Sequence, residues 1–146
     1  VSDDKILQIA EKIRTSKKLI VFTGAGISTE SGISDYRSKG GLWDKFQPVY
    51  FDEFMSSREA RERYWEQRMD MEKGLSAAKP NEGHMAIAAL HHQGLLRALI
   101  TQNIDGLHQA SGIPNEKIIE LHGNTCRIRC MSCLKLASLE ETLVSR

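Results

Sequence analysis

Apolar positions along this chain follow two rhythms. Ile6, Ile9, Ala10 and Ile13 recur at helical spacing behind Ser2, a candidate cap, with Asp3 and Asp4 in the first turn. Leu19-Ile20-Val21-Phe22 is instead a continuous apolar run that meets glycines, which predicts a buried parallel strand. A charged helix is expected over Arg58–Lys73, with Tyr64, Trp65 and Met69 near one face and Trp65 and Met69 in the core. A second helix is expected over Asn81–Gln93, preceded by Pro80 and closed by Gly94. Leu95–Thr101 and Ile118–Leu121 read as further strands. Ser138-Leu139-Glu140-Glu141 is a capping box that opens another helix. Strands alternating with helices imply an α/β layer around a parallel sheet.

Composition narrows the function classes. The 146 residues suffice for one domain with a core, and the 40% hydrophobic and 27% charged content is that of a globular chain. A formal charge of +1 gives no basic excess for nucleic acid or anionic membrane. The longest apolar runs fall far short of a membrane span, and the acidic start Val1-Ser2-Asp3-Asp4 is unlike a secretory signal, so a cytoplasmic setting is expected.

The candidate chemistry sits where predicted strands end. Gly24-Ala25-Gly26 follows the first strand, where glycines permit a tight turn and let backbone N–H groups approach a pyrophosphate. An ordinary dinucleotide fingerprint is not met: its third glycine would fall at Thr29, and its ribose-binding acid at Asp44 does not end a second strand. The turn runs on into a polar loop, Glu30-Ser31-Gly32-Ile33-Ser34, that ends in Asp35-Tyr36-Arg37. Gln102-Asn103-Ile104-Asp105 stands at the end of the next strand, and Glu120-Leu121-His122-Gly123-Asn124 at the end of the one after. An amide pair and a carboxylate there suit ribose hydroxyls and a carboxamide, and a histidine beside glycine is accessible for acid–base chemistry.

These three segments, in this order and approximate spacing, resemble the three motifs of the sirtuin family over roughly residues 19–133. The family usually has proline at Ser34 and phenylalanine at Tyr36. The resemblance implies a Rossmann-like parallel sheet with helices on both faces, plus a small cysteine-containing zinc module. It implies an NAD-dependent protein-lysine deacetylase that moves the acyl group to ADP-ribose and releases nicotinamide. Its partner would be an acetylated-lysine protein or peptide. His122 would be the general base and Asn103 would orient the ribose. Asp105, with the Ile104 backbone, would hold the carboxamide, and Gln102 would touch the ribose. Gly24, Ala25, Gly26, Glu30, Asp35, Tyr36 and Arg37 would complete the cofactor site. His84, His91, His92 and His108 are expected to be structural, His84 as a helix cap. Within the same site chemistry, mono-ADP-ribosyl transfer is a rival; a non-catalytic NAD-sensing module is a rival of another class.

Cys130 and Cys133 have the spacing of half a tetrahedral zinc site. The family places a second pair a few dozen residues later, and none follows here, so the module over 126–146 is expected to be incomplete beside a catalytic portion over 1–125. Such a chain should expose much apolar surface. Cys126 is expected to be a small buried apolar residue. Some sirtuins take acidic acyl groups with a tyrosine and an arginine three residues apart. Here Tyr64 and Arg68 are four apart and Trp65 holds the partner position, which favours plain deacetylation.

Overall fold

The computed structural model describes residues 2–33 and 47–144. Its elements run α1 (Asp3–Thr15), β1 (Leu19–Thr23), α2 (Phe51–Ser56), α3 (Arg58–Leu75), α4 (Glu82–His92), β2 (Leu96–Thr101), α5 (Leu107–Ala110), β3 (Ile118–Glu120), β4 (Arg127–Arg129), β5 (Leu136–Ser138) and α6 (Leu139–Val144). Two 3₁₀ turns, Ala25–Ser31 and Asn115–Lys117, complete them.

Strands β1, β2 and β3 form a parallel sheet in that order, as the continuous apolar runs predict. The register pairs Val21 with Leu99 and Leu99 with Ile118, so these three side chains share one face. Leu99 joins the core formed with Ile87 and Ala88 of α4, Leu96 and Ile113, and Val21 and Ile118 flank it. Leu99 at the centre has no exposed surface. On the opposite face Phe22, Ile100 and Ile119 align, and Ile20, Phe22 and Ile119 are each more than half exposed. Exposed apolar surface of this kind matches the expectation from the sequence. The α1 stripe behaves alike: Ile6 and Ile9 are exposed, and only Ile13 of the four apolar positions is half-buried. Ser2 precedes α1 without making the side-chain cap bond expected of it.

Helix α4 begins and ends as its flanking residues dictate. The Asn81 side chain accepts from the Gly83 and His84 backbone N–H groups, and the His84 ring faces the Asn81 backbone, a reciprocal capping box. The expected span Asn81–Gln93 therefore includes both caps. At the other end Gly94 is left-handed (φ 74°), and the Leu95 N–H returns to the Leu90 carbonyl. Helix α3 runs two residues past its expected end. Ser57 caps it by accepting from Ala60 N–H at 3.1 Å. Among its described residues Ala60 and Arg68 are buried, whereas Met69, expected in the core, is exposed and Trp65 is half-buried against Tyr64. The short antiparallel ribbon β4–β5 was not foreseen: three-residue strands with Arg127 and Arg129 flanking Ile128 carry too little periodic signal. Helix α6 opens on the expected box, with Glu141 N–H on the Ser138 hydroxyl and Ser138 N–H on the Glu141 carboxylate.

Candidate active site

All three parallel strands release their chains at one edge, and the sequence motifs lie there. From β1 the chain enters the 3₁₀ turn Ala25–Ser31. No side chain caps the start of this turn, and a Cβ built on Gly24 or Gly26 would meet nothing within 4 Å. Among the described residues nothing crowds Gly24 or Gly26, which leaves their backbone accessible to a ligand. Ser28, 1% exposed, is the opposite case. Its hydroxyl donates to Asp105 Oδ2 at 2.7 Å and accepts from Asn103 Nδ2 at 3.0 Å. One hydroxyl therefore joins the glycine turn to Asn103 and Asp105, two of the polar residues that follow β2. Asp105 is braced further by the Leu107 N–H on its Oδ1 (3.0 Å), and Gly106 between them needs its positive φ of 73°. Asn81 fastens the far end of the turn by donating to the Ile27 carbonyl and the Ser31 hydroxyl.

Beneath these residues lies a buried polar chain. Thr23 Oγ1 donates to Thr101 Oγ1 at 2.9 Å, and Thr101 Oγ1 accepts the Asn103 N–H at 3.0 Å. Having spent its proton, Thr23 accepts from His108 Nε2 at 2.9 Å. His108 Nδ1 then carries a lone pair and has no partner among the described residues, and His84 Nε2 is likewise buried and unpartnered among them. The two rings lie 4.9 Å apart. Burial pushes the His108 pKa down to about 4, with repulsion from His84 adding to it and Asp105 opposing. His84 is lowered too, by burial against the pull of Asp105. Both histidines are neutral structural groups, as the sequence suggested; their coupling to the motif residues was not visible there.

His122 follows β3 on an exposed loop. Its Nδ1 lies 3.0 Å from the Gln102 carbonyl oxygen. A carbonyl only accepts, so Nδ1 holds the proton and Nε2 keeps the free lone pair. The loop is stitched to the β2 exit by Leu121 N–H on the Thr101 carbonyl, and by Thr125 N–H and hydroxyl on the Ile104 carbonyl. Arg68 holds Thr125 from below, donating to its carbonyl at 2.7 Å and pairing with Glu72 at 2.8 Å. Buried and engaged in this way, Arg68 serves the loop.

Of the sequence candidates, Gly24, Ala25, Gly26, Gln102, Asn103, Ile104, Asp105 and His122 converge on this edge, with Glu30 exposed near the end of the same turn. Asp35, Tyr36 and Arg37 lie outside the described residues. Thr23, Ser28, Asn81 and Thr101 were missed. Small hydroxyl and amide residues beside glycines carry no signal until their partners, some 50 to 80 residues away, are known.

Cys126, Cys130 and Cys133 are free and exposed. Cys126 is therefore not the buried apolar residue expected; its N–H is held by Asn124 Oδ1 on the outer side of the loop. The Cys130 thiol is held below its ordinary range by the backbone N–H of Cys133, then that of Ser132, which favours the thiolate a metal requires. Among the described residues no group of three or more His, Cys, Asp or Glu side chains could hold a metal. Only the Cys-x-x-Cys spacing of Cys130 and Cys133 matches half of a zinc site.

The Sir2 family model matches residues 24–145. The chain belongs to the Sir2 family. It is 51% identical over 126 residues to an NAD-dependent protein deacetylase 1 of Bradyrhizobium diazoefficiens, covering 86% of this chain and 50% of that protein. It is 48% identical over 133 residues to an NAD-dependent protein deacetylase of Rhodopseudomonas palustris, covering 91% and 53%. The chain thus spans about half the length of these curated relatives. Among solved structures, a Sir2 homologue in complex with NAD superposes with a TM-score of 0.79 at 37% identity, covering 96% of this chain and 53% of that one. A Sir2 variant with a deacetylated p53 peptide and 3'-O-acetyl ADP-ribose gives 0.77 at 36%, covering 96% and 56%. The Rossmann-like α/β fold inferred from the sequence agrees with these superpositions. No described helix is long and apolar enough to cross a membrane.

Proposed function

We propose that this chain carries the catalytic residues of an NAD-dependent protein-lysine deacetylase, which transfers the acetyl group to ADP-ribose and releases nicotinamide. The observation that carries the reading is the arrangement of His122. It is an exposed imidazole whose tautomer is set by the Gln102 carbonyl, beside an Asn103–Ser28–Asp105 array held rigid from below. NAD would lie over the Gly24–Gly26 backbone near Glu30, and Asp35, Tyr36 and Arg37 are assigned to the cofactor by their motif positions alone. When bound it supplies the electrophilic ribose carbon and the nicotinamide leaving group. Asn103 spends its amide nitrogen on Ser28, so its Oδ1 is the atom left to accept from a ribose hydroxyl. Asp105, oriented by Ser28 and Leu107, would hold the carboxamide with the Ile104 backbone, and Gln102 would contact the ribose. His122 Nε2 takes the proton from the ribose hydroxyl as general base.

Residues 1–125 form the cofactor-binding catalytic portion in this reading, and 126–146 begin a zinc module in which Cys130 and Cys133 are two of four ligands. Zinc there would lock the β4–β5 ribbon. The partner in this reading is an acetylated-lysine protein or peptide, because Trp65 stands where the acidic-acyl tyrosine would be; Arg68 spends Nη2 on Thr125 and Glu72, while its buried Nη1 has no partner among the described residues. Three free cysteines and bacterial relatives support a cytoplasmic location.

The test is nicotinamide release from NAD by the native gene product, with and without an acetyl-lysine peptide. Release should depend strictly on the peptide and fall about 100-fold or more in His122→Ala. Peptide-independent labelling of protein by ADP-ribose would favour the transferase instead, and NAD binding without turnover would favour a sensor.

A further inference from the structure

Glu120 ends β3 two residues before His122, and its side chain is only 12% exposed. A carboxylate so placed is expensive unless its lone pairs are used. Here three donors from three different parts of the fold use them. Oε1 accepts from Gln109 Nε2 of α5 and from Asn124 Nδ2 of the following loop, each at 2.7 Å. Oε2 pairs with Arg127, the first residue of β4. Asn124 has no freedom to flip, because its Oδ1 accepts the Cys126 N–H at 2.7 Å while its Nδ2 faces the carboxylate. The segment Leu121-His122-Gly123 is therefore closed at its base by a side-chain bridge from Glu120 to Asn124. Gly123, at a φ of 77°, makes the reversal that such a short closure needs. The bridge is charge-assisted and sheltered, unlike a surface ion pair of negligible worth.

We propose that Glu120 is a positioning residue for His122. Its Oε1 holds the loop in the conformation that keeps His122 Nδ1 on the Gln102 carbonyl, and so holds Nε2 in the base-competent tautomer. The Arg127 contact on Oε2 ties the cysteine-bearing ribbon to the same carboxylate. The proposal rests on the deacetylase reading for its catalytic consequence, but its structural half is independent of turnover.

The variants Glu120→Gln, Glu120→Ala and Asn124→Ala separate the possibilities. Nitrogen-15 NMR of the His122 ring reports tautomer and pKa without requiring activity, and peptide-dependent nicotinamide release reports kcat and KM. Glu120→Gln keeps an acceptor for Gln109 and Asn124, so it should hold the Nδ1–H tautomer and stay within about 5-fold of the parent in kcat. Glu120→Ala and Asn124→Ala should mix the tautomers, shift the acid limb of the pH–rate profile, and lower kcat about 10- to 100-fold with KM for NAD little changed, as expected for a misplaced catalytic group. If Glu120→Ala does not fold, Asn124→Ala cuts the same bridge from its other end. An unchanged His122 tautomer in Asn124→Ala and in any folded Glu120→Ala overturns the proposal, whatever happens to thermal stability. So does a loss in Glu120→Gln as large as in Asn124→Ala. A parent protein without peptide-dependent release, but with the tautomer change in the variants, sinks the deacetylase reading and leaves the positioning role standing.

Discussion

Acidification should weaken this fold chiefly through His108. The ring is 1% exposed and donates through Nε2 to Thr23, and its Nδ1 has no acceptor waiting. Protonation would bury an unpaired N–H and a charge next to His84. Burial first, then the neighbouring ring, bring the folded pKa from the ordinary 6.5 to about 4. Between those values the unfolded chain binds the proton and the folded chain does not, so stability rises with pH across the window and falls as pH drops from 6.5 toward 4. A gap of that size corresponds to about 3 kcal/mol, most of it lost by pH 4 and the small remainder just below. His84 is shifted the same way and adds to the loss. His108→Gln isolates the contribution, since a glutamine amide can still donate to Thr23 but does not titrate. Urea denaturation followed by far-ultraviolet circular dichroism, from pH 7.5 to 4, should show the parent losing about 3 kcal/mol relative to the variant, most steeply between pH 6 and 4.5. A difference between the two proteins that stays flat over this range would refute the buried, neutral assignment.

Leu99→Ala should cost about 3–4 kcal/mol in the same denaturation assay, because the residue is fully buried on the central strand between Val21 and Ile118; a loss below about 1 kcal/mol would place the core elsewhere. For the cysteines, Cys130→Ser and Cys133→Ser should each lower the zinc content of the native gene product measured by atomic absorption, whereas Cys126→Ser should leave it unchanged. Equal zinc in all of these proteins would remove the pair from any metal site.

The elements that the sequence determined by itself are those whose signal is local. Leu19–Phe22 and the run before Thr101, broken only by Arg97, are apolar enough to mark strands of a parallel sheet, although the face of β1 that carries Ile20 and Phe22 is exposed and not buried as expected. Asn81, Gly94 and the Ser138–Glu141 box ended or began helices where they stand, because capping requires only neighbours. The motif residues could be located at strand ends for the same reason. What the tertiary structure decided is everything that depends on residues far apart in the chain. Ser28 meets Asp105 across 77 positions, and Thr23 meets His108 across 85, once the parallel register sets Thr23 beside Thr101. The exposure of Cys126, the burial of Arg68 under Thr125 and the β4–β5 ribbon likewise follow from packing. Periodicity reports which side of an element is apolar, and Ile6 and Ile9 share the helical spacing of a core face yet are exposed; whether such a face is covered depends on what packs against it. His122 joins the two kinds of information. Its position in a motif is local, while its usable nitrogen is set by the carbonyl of Gln102, which the sheet brings within 3.0 Å.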